Sequence, residues 1–127
     1  MIVYSHPIYT DALDASVRFP RERYRLITER LRQHSRIEIC TPRKATREEL
    51  LSAHDPVYVD AFLEGVLDER IVRRIGLRPW LPAIVDRTLF LTGGSLQAME
   101  VVLASGGIAG NLAGGTHHAH YAFGAGY

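Results

Sequence analysis

The stretch from about Pro82 to Ala104 is apolar on nearly every side of a helix. Val85, Leu89, Leu96, Met99 and Leu103 fall on one face at helical spacing, and Ile84, Leu91, Ala98 and Val102 fall on a second. Asp86, Gln97 and Glu100 leave only a narrow polar strip. Such a helix is predicted to be mostly buried, so the rest of the chain must pack around it. Gly93-Gly94 within it costs about 1 kcal/mol per glycine relative to alanine. Close approach of another backbone is the expected compensation.

The elements around that helix alternate in type. Ile2-Val3-Tyr4 reads as a short buried strand, followed by a loop through Ser5-His6-Pro7. A helix is predicted after Phe19-Pro20, with Tyr24, Ile27, Leu31 and His34 as its inner stripe. Ile37-Glu38-Ile39 alternates like a strand, which Thr41-Pro42 ends. Thr46 and Glu49 make a capping-box pattern, and Asp55-Pro56 looks like an N-cap with proline at the first helical position. Tyr58, Phe62 and Val66 would be the buried face of that helix, and Gly65 and Gly76 are expected helix ends. Pro79-Trp80-Leu81-Pro82 reads as a turn. Gly106-Gly107 stops the long helix, and Ile108 to Ala113 is predicted to be a buried strand. Strand-helix alternation of this kind favours an α/β architecture with a largely parallel sheet.

Composition removes several function classes. The 127 residues suit one domain, and 46% hydrophobic content suffices for a core. Fifteen basic against fourteen acidic residues leave a formal charge of +1, which gives no global pull toward nucleic acid or anionic membrane. The one basic concentration lies between Arg18 and Arg36, where seven arginines face Glu22 and Glu29. Cys40 is the sole cysteine, so an intrachain disulfide and a Cys-based zinc site are both excluded. Met1-Ile2-Val3-Tyr4 lacks the pattern of a signal peptide, and no apolar stretch suits a bilayer. A soluble cytoplasmic protein is expected.

The chemistry is concentrated in Asn111-Leu112-Ala113-Gly114-Gly115-Thr116-His117-His118-Ala119. It joins a strand end, two glycines and two adjacent histidines. Sites in α/β proteins gather beyond the carboxyl ends of parallel strands, and glycines there let backbone approach a ligand. Imidazole titrates near neutral pH, so paired histidines can share acid and base duties. Two other readings compete: a polar loop with incidental histidines, and direct metal ligation by His117, His118 and His120. Consecutive residues point apart on extended backbone, which counts against the second.

The string Ala113-Gly114-Gly115-Thr116-His117-His118-Ala119, followed by Gly124-Ala125-Gly126-Tyr127, closely resembles the histone deacetylase superfamily in its bacterial deacetylase-like branch. His6-Pro7, Phe19-Pro20 with Tyr24-Arg25-Leu26, His54-Asp55-Pro56-Val57-Tyr58-Val59 and Thr92-Gly93-Gly94-Ser95 resemble family elements in the same order. The resemblance implies the N-terminal part of an α/β arginase/deacetylase-type three-layer fold with a largely parallel sheet. It also implies a zinc-dependent hydrolase that removes acyl groups from acetyl-lysine or a small acylated amine.

Residue by residue, the resemblance makes His117 and His118 the tandem catalytic histidines, beside a zinc-bound water. His118 would be the main proton-transfer group and His117 an electrostatic and hydrogen-bonding support. Gly126 and Tyr127 match the Gly-aromatic pair that lines the acyl channel, with tyrosine where phenylalanine is commoner. Arg25 matches an arginine lining an internal channel. His54 and Tyr58 are expected to serve packing and capping, and His6 to be structural or near the rim. Some family members carry a rim aspartate near positions 77–80; this chain has no acidic residue there.

In family order the zinc-binding Asp-x-His, a later zinc aspartate, the aspartates that orient the histidines and a further catalytic tyrosine or histidine all follow the Gly-aromatic element. Residues 1–127 are therefore expected to be a single incomplete domain, inactive alone and holding no catalytic zinc, with zinc taken up by the intact parent. Self-association through an unpaired edge of the 108–113 strand is also expected. The main alternative is a non-catalytic binding or regulatory fragment on the same fold. Nucleic-acid binding through the arginine-rich helix is a further one, against which the balanced net charge argues.

Overall fold

A computed structural model of the chain describes residues 1–17, 19–114 and 118–126. Arg18, Gly115, Thr116, His117 and Tyr127 lie outside the described residues.

Three parallel strands form the main sheet in the order β2-β1-β3. They are β1 (Ile2–Tyr4), β2 (Glu38–Cys40) and β3 (Ala109–Asn111). β1 is central, pairing Val3 with Ile39 on one side and with Gly110 on the other. Its Val3 and Tyr4 are buried, as a strand covered on both faces requires. β3 is shorter and less buried than the predicted 108–113 strand. Ile108 is 75% exposed, while Ala113, just past the strand, is fully buried.

Between β1 and β2 lie α1 (Ile8–Asp11) and α2 (Arg23–Leu31). α1 follows directly on the expected loop through Ser5-His6-Pro7. It is only one turn long, and His6 accepts a hydrogen bond at Nδ1 from Ile8 N (3.1 Å) to start it. The inner face of α2 is Tyr24 and Thr28, whereas Ile27 and His34 are exposed. Thr28 can be buried because its hydroxyl is satisfied by Tyr24 O (2.8 Å) and by Ser5 Oγ (2.7 Å).

Between β2 and β3 come α3 (Arg47–Leu51), α4 (Pro56–Leu63), α5 (Glu69–Ile75) and α6 (Ala83–Ser105). Thr46 and Glu49 close the predicted capping box on α3, and Asp55 caps α4 through Tyr58 N (3.1 Å). Gly76 ends α5 in the left-handed region at φ 84°, a conformation that glycine adopts without strain. Val59, not Val66, is the buried valine of α4; Val66 lies beyond the helix and is 66% exposed.

α6 packs on β1, β3 and α1. Its buried positions are Ile84, Arg87, Gly93, Gly94 and Ala98. The predicted all-round burial fails toward its C-terminal end, where Met99 is 52% and Leu103 78% exposed. Gly93 has the anticipated close approach to backbone, whereas Gly94 faces a side chain. A Cβ on Gly93 would run into the carbonyl oxygen of Arg43 and lie 2.8 Å from Ala45 N, and one on Gly94 would lie 3.0 Å from the Asn111 side chain. Tyr9, at the centre of the core, places Oη 3.1 Å from Phe90 O and 3.0 Å from Asn111 Oδ1. Burial pushes its phenol up to about 12. Among the described residues no helix is long and apolar enough to cross a membrane.

Candidate functional site

Beyond the carboxyl end of β3 the chain makes a small antiparallel hairpin, β4 (His118–Ala119) with β5 (Gly124–Ala125). His118 therefore sits on a hairpin strand and not in the open loop expected from sequence. The hairpin is fastened to two helices. Asp55 N donates to Tyr121 O (2.9 Å) and the His54 ring places Nδ1 3.0 Å from His120 O, both at the start of α4. Gly126 N donates to Arg74 O (3.0 Å) at the end of α5. The Arg74 guanidinium lies 3.8 Å from the centre of the Phe123 ring, and Phe123 stacks on His120 at 4.2 Å. Gly124 passes so close to Tyr58 and Ile75 that a Cβ would lie 3.3 Å from each.

Hairpin, α4, α5 and α6 together enclose a cavity of about 280 Å³. Tyr58, Val59, Phe62, Ile75, Leu77, Trp80, Ile84 and Leu91 form its apolar walls. Phe62 and Trp80 meet edge to face, with ring centroids 6.2 Å apart. His54, His118, Arg87, Thr88, Thr92 and Ser95 bring the polar groups. An apolar cleft with a few convergent polar side chains is the usual form of a small-molecule site. Burial raises the Tyr58 phenol above its ordinary range, which keeps it a neutral hydroxyl.

Of the residues singled out from sequence, His118 lines this cavity and Gly126 ties the hairpin to α5. His117 and Tyr127 lie outside the described residues. His54 and Tyr58 are both wall residues, their rings meeting edge-on at 6.1 Å. His6 is structural, stacked on Phe90 at 4.1 Å, and burial lowers its imidazole pKa.

The resemblance puts Arg25 at an internal channel; among the described residues its side chain is 56% exposed and pairs with Glu22 (2.9 Å) and Glu29 (3.0 Å). Tyr24 points inward, so the next residue, about 100° further round the helix, points out. Among the described residues the buried arginine is Arg87, 3% exposed. Its Nε donates to Tyr9 O (3.0 Å), and its guanidinium lies 5.7 Å from the Tyr24 ring centre. Burial pulls its pKa below the ordinary guanidinium value, with Tyr24 opposing. Arg87 was not picked from sequence, yet a signal was present: it falls three residues after Ile84 and four before Leu91, on the buried face.

Among the described residues, no group of three His, Cys, Asp or Glu side chains could hold a metal ion. A catalytic zinc generally takes about three protein ligands. The described side chains therefore do not fit that ion.

The histone deacetylase domain model matches residues 17–127. The chain is also 37% identical over 129 residues to an uncharacterized protein of Picosynechococcus sp., covering 99% of this chain and 42% of that protein. It thus spans about two fifths of the length of that relative. The parallel sheet with helices packed on it, and a cavity beyond a strand's carboxyl end, agree with an α/β arginase/deacetylase-type fold. With the domain match running from just before α2 through the hairpin, the chain belongs to the histone deacetylase domain family.

Proposed function

We propose that the protein carrying this span is a cytoplasmic deacylase that hydrolyses the amide of an acylated amine, acetyl-lysine or a small acylated amine. The observation that carries this reading is His118 on the hairpin at the apolar cavity beyond β3. In the proposed reaction a C–O bond forms from water, the amide C–N bond breaks, and the water's proton ends on the departing amine nitrogen. His118 supplies that proton transfer, the task for which imidazole is suited. His117 supports it by hydrogen bonding and charge. The aromatic and aliphatic walls take the acyl group and amine stem and keep bulk water out. The family resemblance assigns Gly126 and Tyr127 to the acyl channel.

The family resemblance adds zinc to the whole protein. The ion's chemistry there would be to polarise the carbonyl and acidify water. The reading is tested by supplying the purified full-length protein with zinc and acetyl-lysine peptides or N-acetylated small amines, and quantifying released acetate. Stoichiometric acetate release with the free amine as co-product is expected. Binding of the substrates without turnover would favour a non-catalytic module on the same fold.

A further inference from the structure

Two exposed arginines adjoin wall residues of the cavity and have no ion pair among the described residues. Arg74 is exposed and lies on Phe123, a wall residue. Arg78 is exposed and sits between the wall residues Leu77 and Trp80. Among the described residues no carboxylate lines the cavity. The acidic residues of the surrounding helices are mostly engaged elsewhere. Asp55 and Asp68 cap α4 and α5, Arg47 holds Asp60 through two bonds of 2.7 and 2.9 Å, and Glu69 pairs with Arg73 (3.2 Å). Glu64 is left, exposed at the far end of α4. The cavity's neighbourhood therefore carries positive charge and imidazoles, with stacking on Phe123 holding one of the two cations beside the wall.

We infer that this mouth favours an acylated amine whose carrier is anionic, and disfavours a polycationic tail. The inference rests on the deacylase reading and adds the charge of the substrate to it. A guanidinium fork suits both carboxylate and phosphate, so either can supply the negative group. Two such charges acting across about one Debye length (~10 Å at 0.1 M salt) are screened strongly at high salt.

The test uses the full-length protein and acetyl-lysine peptides of one length, flanked by glutamate, phosphoserine, glutamine or lysine. Turnover and fluorescence-anisotropy binding are both recorded. At low salt the glutamate- or phosphoserine-flanked peptide should exceed the lysine-flanked one about tenfold in kcat/KM and in affinity. That ratio should fall toward one at 0.5 M salt and in the Arg74→Gln/Arg78→Gln variant, and persist in Arg74→Lys/Arg78→Lys. Comparison of the two acidic arms identifies which anion is preferred. Equal or better handling of the lysine-flanked peptide overturns the inference, as does a preference that survives the glutamine variant. Absence of turnover with every peptide defeats the deacylase reading, while the binding ratios still decide the charge preference.

Discussion

Gly93→Ala sets two physical effects of opposite sign against each other. In an isolated helix the exchange stabilises by about 1 kcal/mol, because alanine loses less backbone entropy. In this fold the new methyl would enter the carbonyl oxygen of Arg43 and lie 2.8 Å from Ala45 N and 2.9 Å from the Lys44 carbonyl carbon. All three are backbone atoms, and their segment is pinned. Ala45 N donates to Leu89 O (2.9 Å), and Arg43 N donates to Gln97 Oε1 (2.7 Å). The Arg43 side chain is bound to Glu49 (2.6 Å) and Glu100 (3.1 Å). Over-packing a site that cannot relax costs about 3 kcal/mol, the upper part of the usual range. Subtracting about 1 kcal/mol of helix propensity leaves a net loss of about 2 kcal/mol. For a domain of this size that is a fall in Tm of roughly 8 °C. Urea and thermal unfolding of the variant, followed by circular dichroism, read it directly. A variant as stable as the parent, or more so, would refute the close-approach account of Gly93.

Further outcomes follow from other contacts. Glu49 is lowered to about 2 from the ordinary 4.5 by its bond to Arg43, assisted by Thr46 N. A carboxylate lowered on folding stabilises above its unfolded value, and that contribution disappears as pH falls from about 4.5 toward 2. Glu49→Gln should therefore flatten that part of the acid-unfolding curve, and an unchanged curve would remove the Arg43 clamp from the account. His54→Phe should keep the wall but lose the contact with His120 O, costing about 1 kcal/mol. Amide exchange should then speed up selectively at residues 118–124; uniform speeding would contradict a local role. β3 has one neighbouring strand among the described residues, and Ile108 beside it is 75% exposed. We propose that the 127-residue chain self-associates along that edge. Light scattering should show Ile108→Lys to be less associated than the unaltered chain, and a monomer in both cases would dispose of the idea.

Local signals carried much of the fold into the sequence. Thr46 with Glu49, Asp55 with Pro56, and Gly76 each act within one helical turn, so their readings match the structure closely. Gly93 was legible as a close approach because its cost in a helix demands one, although the partner, the 43–45 backbone, is far away in sequence. What depended on tertiary partners was less legible. Hydrophobic periodicity chose Ile27 for the inside of α2, but Thr28 holds that place through its bonds to Tyr24 O and Ser5 Oγ. Apolar pattern alone could not show that Met99 and Leu103 would be exposed. The histidine pair marked the right end of β3, while the hairpin beside it depends on Asp55, His54 and Arg74, contacts that no motif in the 113–119 string announces. Arg87 was overlooked because an arginine reads as surface, yet its charge is met by the Tyr9 carbonyl and the Tyr24 ring.

The central claim is that His118, on the hairpin over the cavity, transfers the proton in amide hydrolysis. Its most direct test is kcat for acetate release by the full-length protein, compared among the unaltered enzyme, His118→Ala and His117→Ala under identical zinc loading. Loss of a general acid-base group is expected to lower kcat by about 10²–10⁴-fold. The account predicts a loss in that range for His118→Ala, a smaller one for His117→Ala, and native-like circular dichroism for both. Equal and mild losses in the two variants, or full activity without His118, would contradict it.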